Sequence, residues 1–161
     1  EEEKSSHRMK HILGRFDGEA STFYNDFKEN DESFKMLPLK KMSSLSQNIL
    51  GAIDYEKVRT RRNENFRYLH ENLSNSNTLD IRVPEGPFSY PYYVKNGIAV
   101  RKALAEKKIY IPTLWPNVLR DNKESSTEYD YAANILPIPC DQRYDIKDMK
   151  RIIKELKICI D

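Results

Sequence analysis

Four consecutive residues between a predicted strand end and a predicted helix, Asp141, Gln142, Arg143 and Tyr144, have the types needed to hold an anion. A guanidinium meets a carboxylate or phosphate through two parallel N–H bonds, and loops on a rigid scaffold are where such contacts are usually carried. The same residue types also allow an internal pair between Arg143 and Asp141 or Asp145. A second candidate stretch is residues 110–117, where Trp115 offers a flat apolar face to a sugar or base and Asn117 offers both donor and acceptor. Packing against the core is the competing use of Trp115, since aromatics bury large areas. Tyr90, Tyr92 and Tyr93 fall on a predicted strand, whose period of two puts Tyr90 and Tyr92 on one side and Tyr93 on the other. A ring stack for a base is one outcome there, and half-buried strand packing the other. The substrate-binding candidates are therefore Tyr92, Trp115, Asn117, Arg143 and Tyr144, and no residue is assigned as catalytic.

Two further clusters carry less. Arg59, Arg61, Arg62 and Arg67 would neutralise phosphates if they stood alone, but Glu56, Glu64 and Glu71 interleave them. That pattern favours a solvated helix face with paired charges, or a domain contact, over a nucleic-acid surface. His7 and His11 have the one-turn spacing of a zinc pair, yet no Glu lies between them and no third ligand is evident, so no metal site is assigned.

These residues need elements to position them. Residues 7–34 carry apolar side chains at helical spacing on each side of Asp17-Gly18, which predicts two short helices with a glycine turn. Residues 36–41 contain Pro38 and read as a linker, followed by an apolar stripe of Leu45, Ile49 and Ala52. Asp54 suits an N-cap, and Val58, Phe66, Leu69 and Leu73 define one face of a long amphipathic helix that ends before the polar run 74–77. Beyond it the character changes. Residues 78–83 and 89–95 read as two antiparallel strands, 98–107 as a helix, 109–113 as a strand, 124–133 as a helix and 135–138 as a short strand. Asp145 caps a last helix, with Asp148 adding negative charge at its positive end and Ile146, Met149, Ile152, Ile153, Leu156 and Ile160 forming its buried face. Helices covering a small antiparallel or mixed β-sheet, preceded by a long helix, make an α+β fold.

Composition sets the bounds. The 161 residues suffice for one core; 39% are hydrophobic and 32% charged, and the mean hydropathy is -0.77. These values suit a water-facing globular chain, and no apolar run long enough to span a membrane is present. A net charge of +2 is too small to imply a polyanionic partner. Cys140 and Cys159 are not at framework spacing, which favours reduced thiols and a cytoplasmic setting. The start, EEEKSS, has neither Met nor an apolar signal core and reads as a cut from a longer protein.

Order and spacing together carry a resemblance. KIYIPTLWPNVL at 108–119 and ANILPIPCDQRYDIKDM at 133–149 run as strand, aromatic-Pro, LP-x-P and terminal helix. Upstream, Met42 and Ser43 lead into a helix carrying Arg61, Arg62, Asn63 and Tyr68. This arrangement resembles the C-terminal small domain of DegT/StrS-type pyridoxal-phosphate-dependent sugar aminotransferases. The resemblance implies the small domain of a fold-type I transferase at 42–161, with 1–41 leading from the large domain. It also implies a whole enzyme that moves an amino group to a keto-sugar nucleotide in polysaccharide biosynthesis, works as a homodimer and binds neither nucleic acid nor membrane. Pyridoxal phosphate would sit in the large domain and not on this segment. Such a cofactor needs a lysine amine and a phosphate cup, and the five glycines here are never adjacent. The chain departs from the family where Leu39, Lys40 and Lys41 replace an Asn-aromatic-Arg run that reaches the partner's cofactor phosphate. It departs again where Leu114-Trp115-Pro116 replaces His-Tyr-Pro. A non-catalytic binding or scaffolding module descended from that fold is the alternative.

Overall fold

The computed structural model describes residues 5–160, and the chain forms two compact units, one ending at Ile53 and the other beginning at Asp54. In the first, α1 (Lys10–Asp17) and α2 (Tyr24–Ser33) are the helices expected around Asp17-Gly18. His11 is buried and meets Phe27 edge to face, with ring centroids 5.5 Å apart. α3 (Ser44–Gly51) is capped by Ser43, whose Oγ accepts from the Ser46 N–H at 3.1 Å and lies 2.6 Å from Ser5 Oγ. That bond ties residues 42–53 to the start of the first unit, which extends to Ile53. Little apolar surface is hidden in this unit: Phe16, Met36 and Leu39 are 93%, 90% and 103% exposed.

The second unit opens with α4 (Tyr55–Leu73), where the Asp54 carboxylate accepts from the Lys57 N–H at 3.0 Å, the cap expected of it. Phe66, Leu69 and Leu73 are buried on the expected stripe. There follow β1 (Ser89–Tyr93), α5 (Gly97–Glu106), α6 (Pro116–Asp121), α7 (Thr127–Asn134), β2 (Ile135–Pro139) and α8 (Ile146–Ile160). β1 and β2 pair antiparallel, with Tyr90 opposite Ile138 and Tyr92 opposite Leu136. α4 packs on β1 and α8, while α5 and α7 pack on β2. Tyr90, Leu136, Ile138, Leu104, Met149 and Leu156 sit at the centre of the core. The result is the mixed α+β arrangement of helices over a small antiparallel sheet.

Residues 78–83 and 109–113, both expected as strands, instead run as irregular backbone. Each outer edge of the sheet is closed to pairing in its own way. On the β1 edge the Asn77 side chain stands where a neighbouring strand would: its Oδ1 accepts from the Tyr93 N–H at 3.1 Å and its Nδ2 donates to the Pro91 carbonyl at 2.9 Å. The same Oδ1 takes the Leu79 N–H at 3.3 Å, which starts residues 78–83 off the ladder. On the β2 edge Pro137 and Pro139 have no N–H to give, and Arg101 occupies the Ile135 carbonyl at 2.7 Å. Ile109 and Ile111 are still buried, so their alternation reports burial and not pairing. α5 closes through Lys108, held at φ 57°: its N–H reaches the Ala105 carbonyl and the Ile109 N–H reaches the Leu104 carbonyl, both at 2.9 Å. These are the two bonds of a Schellman turn, with lysine where glycine is usual.

Two other boundaries differ from expectation. Pro116 in the first turn opens α6, a helix absent from the sequence-based assignment. α7 begins three residues later than expected because Ser126 is its cap, accepting from the Tyr129 N–H at 3.2 Å. At α8 the cap is reciprocal. Asp145 Oδ1 accepts from the Asp148 N–H at 3.1 Å, and Asp148 Oδ2 accepts from the Asp145 N–H at 2.9 Å. Met149, Ile152, Ile153 and Leu156 are buried as expected, but Ile160 is exposed, because the buried face ends a turn earlier.

Candidate functional site

α4 presents three polar residues that fix two loops. Asn63 Oδ1 accepts from the Gly86 N–H at 2.8 Å, and Arg62 Nε donates to Gln142 Oε1 at 2.8 Å. Asn65, fully buried, donates from Nδ2 to the carbonyls of Cys140, Asp141 and Tyr144 at 3.3, 3.2 and 3.0 Å. The turn around Gly86, whose φ of 61° suits glycine, and the turn between β2 and α8 are thereby held on one helix.

Within the second turn Arg143 makes the internal pair. Its Nε and Nη2 donate to the two oxygens of Asp141 at 2.8 and 2.9 Å, and its backbone N–H donates to Oδ1 at 3.1 Å. The Asp141 side chain is 2% exposed and that of Arg143 is 64% exposed. Burial alone would raise the Asp141 pKa, but the Arg143 bonds and the nearby charges of Arg143 and Arg62 together hold it below the ordinary carboxylate value. A depressed native pKa stabilises the fold above the unfolded value of about 4, and that contribution is lost as pH falls toward the native value. Asp141→Asn is therefore expected to lose less stability than the parent chain between about pH 5 and pH 3, measured by urea midpoints across that range.

The remaining candidates are dispersed. Tyr92 is buried, with its hydroxyl 3.1 Å from Ser76 Oγ, so its ring is enclosed by the domain. Trp115 does not cap the core: it is 71% exposed and held at φ 51° immediately before α6, with exposed Asn117 in the first turn of that helix. Tyr144 lies beneath the Arg143 guanidinium, 5.5 Å from it to the ring centroid, and lines a small cleft with Tyr110. Arg143 and Tyr144 are thus together and Trp115 and Asn117 are together, while Tyr92 is packed inside the sheet layer.

Other residues resolve into structural roles. Arg59 pairs with Glu56 and Glu85, and Arg61 with Glu64. The His7 side chain lies outside the described residues, and among the described residues no group of three possible metal ligands exists. Both cysteines are free thiols; burial, with Asp141 adding, pushes the Cys140 thiol up to about 12, far from a working nucleophile. Among the described residues no lysine is buried, and the glycines stay isolated. Arg101 and Asn65 went unremarked in the sequence, yet both are buried and both bind three backbone carbonyls. Arg101 reaches those of Ala132, Ala133 and Ile135 at the end of α7, and burial lowers its pKa. Compared with known proteins, the chain matches no family model, no curated protein and no solved structure.

Proposed function

We propose that the unit Asp54–Asp161 is the substrate-closing small domain of a DegT/StrS-type aminotransferase, a homodimeric cytoplasmic enzyme acting on a keto-sugar nucleotide. The observation that carries this reading is the segment before α6. An indole 71% exposed, in a backbone conformation that tryptophan rarely adopts, stands beside the polar side chain of Asn117 on a domain with a rigid core. A base or sugar ring stacks on such a face, and Asn117 supplies the directional bonds. Pyridoxal phosphate, held by the large domain of the same protein, supplies the electron sink. This domain's share is to wall the site, exclude water and select the substrate. The exposed apolar side chains of the first unit are the surface that the large domain covers.

The test uses the longer enzyme that contains this chain. Trp115→Ala is expected to raise KM for the sugar nucleotide about tenfold, the lower end of what ring stacking contributes, and to leave the half-reaction with the amino donor unchanged. An unchanged KM for the sugar nucleotide would remove Trp115 from the site.

A further inference from the structure

The geometry points to a small oxyanion site, suited to a phosphate group, in the cleft between residues 108–110 and the first turns of α8. Its volume is about 100 Å³, which holds a tetrahedral oxyanion or a few waters but not a sugar or a base. Lys108 and Arg151 line it, and among the described residues neither is in an ion pair. Of the nearby charges, one cation is already committed. Lys107 and Glu155 pair with each other at 2.5 Å; the Asp148 carboxylate also lines the cleft and keeps its negative charge, one oxygen accepting from the Asp145 N–H, so two cations stand there against one anion. Arg151 donates from Nη2 to the Lys107 carbonyl at 2.9 Å, which steadies its guanidinium and leaves its other N–H groups for a ligand. The floor is Ile109 and Ile152, both buried, so charge contacts above it are less screened than on open surface. Tyr110 and Tyr144 line the same cleft.

Lys108 also has an unusual backbone. Its φ of 57° belongs to the left-handed region, and the turn it closes would be better served by glycine. The turn thus places a cationic residue beside Arg151 at the cleft, where a bound anion would offset the cost of that backbone conformation.

The site does not rest on the aminotransferase reading, and it is tested on the 161-residue chain without cofactor. Titration with inorganic phosphate, followed by backbone amide NMR, is expected to give saturable shifts centred on Lys108, Ile109, Tyr110 and Ile152. Lys108→Gly should weaken phosphate about tenfold or more while its melting temperature stays at or above the parent's, a combination that a purely structural lysine does not produce. Arg151→Gln should weaken binding similarly. Uridine diphosphate forms the second arm: tighter binding through the same amides assigns the phosphate to a nucleotide, and binding of inorganic phosphate alone assigns a free anion. Non-saturating shifts spread over the basic surface would mean an adventitious ion only. That result, or unchanged phosphate affinity in Lys108→Gly, overturns the site.

Discussion

Asn65→Ala is expected to lower the stability of the second unit by about 3 kcal/mol, a melting shift on the order of 10 °C for a unit of this size. Nδ2 of Asn65 serves three backbone carbonyls at once; removing the amide strips those of Cys140 and Tyr144 of this donor, while the Asp141 carbonyl keeps the Tyr144 N–H at 3.2 Å. Asn65 Oδ1 is itself buried and unpartnered, so its loss returns a little of that cost. Asn65→Asp separates the donor from the shape. A carboxylate of the same size facing three carbonyl oxygens is repelled by all of them, and the cost at neutral pH is expected to reach about 3–5 kcal/mol. The native pKa of that aspartate would lie above its unfolded value, so the variant regains stability as pH falls, the opposite sign to Asp141. Urea titrations at neutral and acid pH check both statements, and an Asn65→Asp variant as stable as the parent at neutral pH would contradict them.

Gly97→Ala carries an effect of similar size from a different cause. A Cβ at residue 97 would lie 2.5 Å from the Ala133 carbonyl oxygen and 2.7 Å from the Asn134 Cα, both backbone atoms at the end of α7. Backbone cannot rotate aside as a side chain can, so α5 must shift from α7. That shift strains the Gly97 N–H bond to Asn134 Oδ1, 2.9 Å long, and the Arg101 contacts with the same chain end. A loss of about 3 kcal/mol or more is expected by thermal denaturation. Gly51→Ala is the control, since nothing lies within 4 Å of a Cβ there, and it should be neutral or slightly stabilising.

Much of this architecture is legible where local chemistry decides it. Asp54, Asp145 and Asp148 cap helices as their types and spacing indicate, and the stripes of α4 and α8 mark their buried faces. What escapes is pairing at a distance. Leu79, Ile81 and Val83 alternate as a strand would, but a single side chain, Asn77, fills the edge they would have joined. Residues 109–113 meet an edge stripped of donors by Pro137 and Pro139. The polar hubs had a usable signal. Asn65 lies four residues before Leu69, and Arg101 four after Gly97 and three before Leu104, which places each on the face its helix buries. A polar side chain on such a face must find partners, and here both find backbone carbonyls. The site is less legible than the fold. Arg143 and Asp141 have the types of an anion receptor and of an internal pair alike, and only the three-dimensional bonds select the pair. Aromatic side chains usually bury, yet Trp115 stands exposed at a left-handed backbone position that its residue type does not announce.

The central claim is that this chain closes over a cofactor held elsewhere in the same protein. It is tested most directly by expressing the longer chain, reducing it with borohydride and mapping modified lysines by mass spectrometry. The account predicts a coloured protein carrying one reduced pyridoxyl-lysine, located outside these 161 residues. A colourless protein with no adduct, or an adduct on a lysine within this chain, would contradict it.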